Sequence, residues 1–149
     1  MSRGLRIALA WIVVAASCGA IFYESSQSHV ELPAIGLPFF EIDKWLHMGA
    51  YAVWAFLFST AFRLTAPRLV PWAWLLISVL AGLVYGASDE FHQLYVPNRS
   101  CDIFDWAADG TGALLGTLAH AAWHYRPFLR RTPRPSPARA EGAGEADGR

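Results

Sequence analysis

Three short segments hold most of the side chains able to do chemistry. In the first, Asp43-Lys44 is followed by His47 and Tyr51. Asp43, His47 and Tyr51 step by four, so on a helix they share one face. The second reads Ser88-Asp89-Glu90-Phe91-His92-Gln93, where Asp89 and His92 are three apart, as are Glu90 and Gln93. The third contains Pro97, Arg99, Asp102, Asp105 and Asp109, and the last three also step by three and four. A carboxylate beside an imidazole is the usual form of an oriented base. An arginine fork grips phosphate or carboxylate. The expected site therefore has Asp89 and His92 as its reactive pair and Arg99 as its anion contact. Asp43, Lys44, His47, Tyr51, Glu90, Gln93, Asp105 and Asp109 would bind or support.

The same residues admit other chemistry. Lys44 and Arg99 could simply neutralise carboxylates in a network that locks helix ends. The acids outnumber those cations, however, and crowded carboxylates need protons or a further cation. His47, His92, Asp89 and Glu90 are plausible metal-ligand types, but no strong metal spacing accompanies them, and no metal or other cofactor is expected. Rows of acids and histidines also serve proton or ion conduction. His120 and His124 read as packing or interface residues, and His29 as a solvated loop residue.

The elements that must position these groups are apolar. The chain has 149 residues, of which 54% are hydrophobic and only 16% charged. A soluble domain carries about 25% charged residues. Four stretches approach the roughly 20 apolar residues that cross a bilayer as a helix. They cover residues 7–23, 45–62, 69–88 and 110–125, the last lengthening if its helix starts near Ile103. The first has the basic start and small residues of a secretory signal, but in a chain with further spans a retained anchor is the simpler reading. Every Lys and Arg except Lys44 and Arg99 falls on one side of the four spans. The positive-inside rule then puts both termini in the cytoplasm. All three polar segments fall together at the opposite, outer end.

The expected protein is thus all-α, an integral protein of the cytoplasmic membrane with four transmembrane helices. A membrane domain would cover residues 1–126. A disordered basic tail rich in Pro, Ala and Gly would cover 127–149. Two small-xxx-small pairs, Gly82/Gly86 and Gly112/Gly116, are expected to pack the third and fourth helices closely. Cys18 and Cys101 lie at different depths, which argues against a disulfide. Net charge is zero, and nothing in the chain points to nucleic acid. The partner implied is membrane lipid or an amphiphilic ligand, with its headgroup at the polar cluster and its tail in lipid.

The two polar blocks resemble the motifs of the VanZ-like family. Asp43-Lys44-x-x-His47-x-x-x-Tyr51 is similar to its first. Asp89-Glu90-x-x-Gln93, Pro97-x-Arg99 and Asp105-x-x-x-Asp109-x-x-Gly112 are similar to its second. The likeness covers residues 43–116. The second motif commonly has Asn where this chain has Asp109, which keeps a hydrogen-bonding side chain and adds a charge. The resemblance implies a multi-pass protein of the cell envelope, in a family named for teicoplanin resistance. It implies action on, or protection of, an outer-leaflet target, in keeping with a role in glycopeptide resistance. Binding, modification and a purely structural cluster all stay open at this point.

Overall fold

A computed structural model describes residues 1–28 and 42–129. His29, the rest of the connection to Glu41 and the tail from Arg130 lie outside the described residues. The described residues form four helices and no strand. They are α1 (Arg3–Ser25), α2 (Ile42–Thr65), α3 (Pro71–Gln93) and α4 (Ile103–Leu129). Helix α4 starts at Ile103 and runs past the boundary expected at residue 126.

Local chemistry marks several of the helix starts. Ser2 caps α1 by accepting the Leu5 N–H at 3.3 Å. Pro71 opens α3, where its missing N–H is no loss and its fixed φ suits the helix. Asp102 caps α4: its Oδ1 accepts the Phe104 N–H at 2.8 Å.

Helices α2 and α4 form the most extensive pair, α3 packs on both, and α1 lies mainly against α2. The Arg3 guanidinium reaches the Leu64 carbonyl, and Trp11 donates to Thr65 Oγ1 at 2.9 Å. The start of α1 therefore meets the end of α2. Lys44 meets Asp102 and Asp105, which places the starts of α2 and α4 together. The end of α3 joins the end of α1 through His92 and Ser26.

The glycines correct one expectation. A Cβ on Gly112 would collide with the Met48 carbonyl, and one on Gly116 with the Ala52 carbonyl. The Gly112/Gly116 pair thus seats α4 on the backbone of α2, not on α3. Gly82 and Gly86 do face α4, against Ala113 and Asp109. The faces differ because α4 is wedged between two neighbours and needs a small residue toward each.

A compact aromatic group joins three helices. Trp54 stacks on Phe58 at 5.1 Å and on Tyr85 at 5.5 Å. Its indole donates to Cys18 Sγ at 3.0 Å, while the Tyr85 hydroxyl donates to the Cys18 carbonyl at 2.8 Å. Cys18 packs against this group and also serves it as an acceptor. Both cysteines are free thiols.

The distribution of polarity is inverted. Among the described residues, more polar than apolar ones are buried, including Asp89, Glu90, Asp105, Asp109 and His120. Large apolar residues such as Trp72, Val84, Phe104 and Trp123 face outward. Helices α1 and α3 are long and apolar enough to cross a membrane. Helices α2 and α4 carry the ionisable residues that lower their hydropathy, at Asp43, Lys44 and His47 and at Asp105 and Asp109. An apolar exterior around a polar interior suits lipid as the surrounding solvent.

Candidate functional site: a buried polar cluster at one end of the bundle

The cluster is built from the starts of α2 and α4 and the end of α3. One turn of α2 brings Asp43, Lys44 and His47 against the first two turns of α4. Lys44 Nζ lies 2.7 Å from Asp105 Oδ1 and 2.9 Å from Asp102 Oδ2. His47 Nδ1 lies 3.0 Å from Asp109 Oδ1, and its Nε2 is 4.0 Å from Asp43 Oδ1. Asp109 is fully buried. Gly86 makes room for it, since a Cβ there would lie 2.9 Å from Asp109 Oδ2.

Helix α3 contributes Glu90 and Gln93. Glu90 Oε2 accepts the Asp102 N–H at 2.7 Å, and Gln93 Nε2 approaches Glu90 Oε1 at 3.5 Å. Asp102 thus connects three helices. It caps α4, binds Lys44 of α2 and presents its own N–H to Glu90 of α3. Burial opposes its charge, but the Lys44 ammonium and the Phe104 N–H outweigh that and hold its pKa below the usual carboxylate value. The residue had a legible signal, an Asp immediately before an apolar helical run.

The connection from α3 to α4 places Arg99. The Arg99 N–H reaches the Val96 carbonyl at 3.2 Å, with Pro97 and Asn98 between them. Asn98 has φ of 60°, so the segment is a turn with Pro at its second position and a left-handed residue at its third. Asn tolerates that conformation better than other side-chain-bearing residues. We expect Asn98→Gly to leave stability unchanged. Asn98→Val should cost about 1–2 kcal/mol, read as a lower melting temperature in detergent.

Arg99 spans from this turn to α1. Its Nε donates to the Gln27 carbonyl at 3.1 Å and its Nη2 approaches the Glu24 carbonyl at 3.4 Å. The Glu24 carbonyl belongs to the last turn of α1 and that of Gln27 lies just past its C-cap Ser26, so the guanidinium stands at the helix C-terminus, where a cation is favourable. The expected pairing of Asp89 with His92 is not formed. His92 Nε2 lies 3.0 Å from Ser26 Oγ, and its ring packs 4.4 Å from Phe22. Asp89 is buried, and its Oδ2 has no hydrogen-bond partner among the described residues. The two side chains leave the last turn of α3 in different directions, one toward α1 and one inward.

A cavity of about 480 Å³ opens beside the network. Ile21, Leu46 and Ala50 give it apolar walls, while Asp43, His47, Tyr51, Asp89 and Arg99 give it polar ones. Tyr51 is 1% exposed, and its hydroxyl, like Asp89 Oδ2, lacks a hydrogen-bond partner among the described residues. The end of α1 and the residues just after it also line this cavity, through Glu24, Ser25 and Gln27. Sequence reasoning missed that contribution, although a polar run closing an apolar span was its signal. His47, Glu90 and Asp109 each offer a ligand atom within 4.8 Å of the others, so this trio could hold a cation, as could Asp43, His47 and Asp105.

A four-helix protein with an apolar exterior and a buried polar end is of the membrane class in architecture. More particularly, the chain belongs to the VanZ/LLP1 family, whose model matches residues 5–124. No curated protein and no solved structure matches it.

Proposed function

We propose that the protein crosses the cytoplasmic membrane four times, with both termini inside, and binds the headgroup of an amphiphilic envelope ligand at its outer end. Orientation follows from the cations. Arg3, Arg6, Arg63 and Arg68 lie at the end of the bundle opposite the cluster, where the positive-inside rule puts the cytoplasm. The observation that carries the binding reading is the cavity of about 480 Å³ lined by two buried polar groups that have no hydrogen-bond partner among the described residues. Most buried polar atoms have partners, and exceptions call for an explanation. Asp89 would accept from a ligand hydroxyl, amide or ammonium, and the Tyr51 hydroxyl would donate to a ligand oxygen. The apolar walls would take the start of an acyl chain or a lipophilic side group.

The role supported is binding and positioning. Without an Asp89–His92 contact, a reaction has less support than recognition. Family membership links the proposal to glycopeptide resistance, with a lipoglycopeptide-type drug or its lipid-linked target as ligand. The second reading, a scaffold, draws on the paired groups Lys44–Asp105 and His47–Asp109. Asp89 and Tyr51 lie outside those pairs, so they separate the two.

The test is complementation of a deletion strain under lipoglycopeptide stress with Asp89→Asn and Tyr51→Phe, membrane abundance being measured alongside. Both changes are close to isosteric. We expect normal abundance and lost protection. Full protection at normal abundance would remove the binding site, and a loss of abundance matching the loss of protection would favour the scaffold.

A further inference from the structure

The cavity beside the polar cluster carries an excess of negative charge. Its described lining holds three carboxylates, of Glu24, Asp43 and Asp89, against one guanidinium and one imidazole. Among the described residues no ion pair reaches Asp89, and the cations of the cluster are engaged elsewhere. Lys44 stands between Asp102 and Asp105, and His47 Nδ1 meets Asp109. The Arg99 guanidinium is turned to the carbonyls of Gln27 and Glu24. Asp89 is 4% exposed, and its Oδ2 has no hydrogen-bond partner among the described residues. Apolar surface borders these acids. Leu46 and Ala50 sit on the exposed side of α2, so the wall they form runs out to the exterior of the bundle.

A buried carboxylate without a counterion is costly, and a ligand that brings one removes the cost. A hydroxyl or amide would satisfy the open oxygen of Asp89 but leave its charge. A quaternary ammonium would supply the charge but no N–H. A primary ammonium supplies both, the donor and the opposite charge. We propose that the cavity takes a primary ammonium carried by the headgroup of an amphiphile, with Asp89 as its counterion. The inference rests on the headgroup-binding reading above and specifies the charge and the donor of that headgroup. Glu24, exposed in the last turn of α1, adds attraction for a cation from the edge of the cavity. The Tyr51 hydroxyl remains to donate to a headgroup oxygen.

The test follows the melting temperature of the full-length chain in a neutral maltoside detergent, which a ligand that binds only the folded state raises by mass action. The probes are dihexanoyl phosphatidylethanolamine, the phosphatidylcholine with the same chains, and free phosphoethanolamine. The two lipids share net charge, phosphate and tails, and only the first has N–H donors. We expect the ethanolamine lipid to bind about tenfold or more tightly than the choline lipid, the preference that a charged hydrogen bond confers. A rise with phosphoethanolamine as well shows that the headgroup suffices, and a rise with the lipid alone shows that the chains are needed; either supports the proposal. Asp89→Asn should erase the preference. Glu24→Gln should weaken binding of the ethanolamine lipid about threefold, and because Glu24 is exposed this variant keeps the test valid should Asp89→Asn fail to fold. Equal binding of the two lipids, weakened alike by Tyr51→Phe, would overturn the ammonium and leave the headgroup site standing. No rise with any probe, or a preference that every folded variant keeps, would also overturn the proposal. The site itself falls only if Asp89→Asn and Tyr51→Phe keep full protection at normal abundance.

Discussion

Changing His47 to Phe should strip most of the protein from the membrane, and changing Asp109 to Asn in the same chain should restore it. Asp109 is fully buried, and its Oδ2 has no hydrogen-bond partner among the described residues. Its other oxygen has His47 Nδ1 at 3.0 Å. Without the imidazole, the carboxylate must stay ionised in a site that excludes water or take up a proton there. Breaking a buried pair from one side costs about 3–5 kcal/mol, most of it the penalty on the partner left behind. Folded proteins have only about 5–15 kcal/mol in total. Asn in place of Asp109 carries no charge, nearly the same volume and a carbonyl oxygen that can still meet His47. Asp109→Asn alone should therefore be mild, and His47→Phe should cost much less in that background. Melting temperature in detergent and membrane abundance, taken through all four combinations, give the coupling directly. If His47→Phe lost as much in the Asp109→Asn background as in the parent chain, His47 would be acting through packing and not through the carboxylate.

The same pair shows how far a sequence pattern reaches and where it stops. The family resemblance marks Asp109 as the position that departs from Asn, and the step of four marks His47 as facing the same way as Asp43. That the two meet depends on how α2 sits against α4. The register is set by Met48 and Ala52 lying under Gly112 and Gly116, and no pattern within a single helix encodes it. Lys44 is legible as a neutralising cation, and it does neutralise, between Asp102 and Asp105. His92 misleads for a related reason. Spacing of three predicts proximity to Asp89 along α3, but the last turn has α1 beside it, and Ser26 and Phe22 draw the imidazole away. Tertiary neighbours also explain Arg99, whose guanidinium is turned to the carbonyls closing α1. The helices themselves are the easiest to see, because apolar length is a property of each segment alone.

Gly116→Leu should abolish accumulation of the folded protein, and Gly112→Leu should come close. At both positions even a Cβ would strike a backbone carbonyl of α2, that of Ala52 or of Met48. Backbone inside a packed helix cannot yield as a flexible side chain can, so the helices must separate. Separation would pull Asp105 and Asp109 away from Lys44 and His47, whose contacts depend on the same register. Two losses are then coupled: close packing between helices, which is a main source of association in lipid, and the ion pairs it aligns. Gly49 and Gly19 provide the contrast, since nothing lies within 4 Å of a Cβ at either place. Alanine at Gly49 or Gly19 should leave abundance and melting temperature at or slightly above those of the parent, because Gly is about 1 kcal/mol poorer than Ala inside a helix. Abundance by immunoblot and monodispersity in detergent read both sets. Normal accumulation of Gly116→Leu would mean that α2 and α4 do not approach as described, and the paired charges at their starts would lose the alignment on which the whole cluster depends.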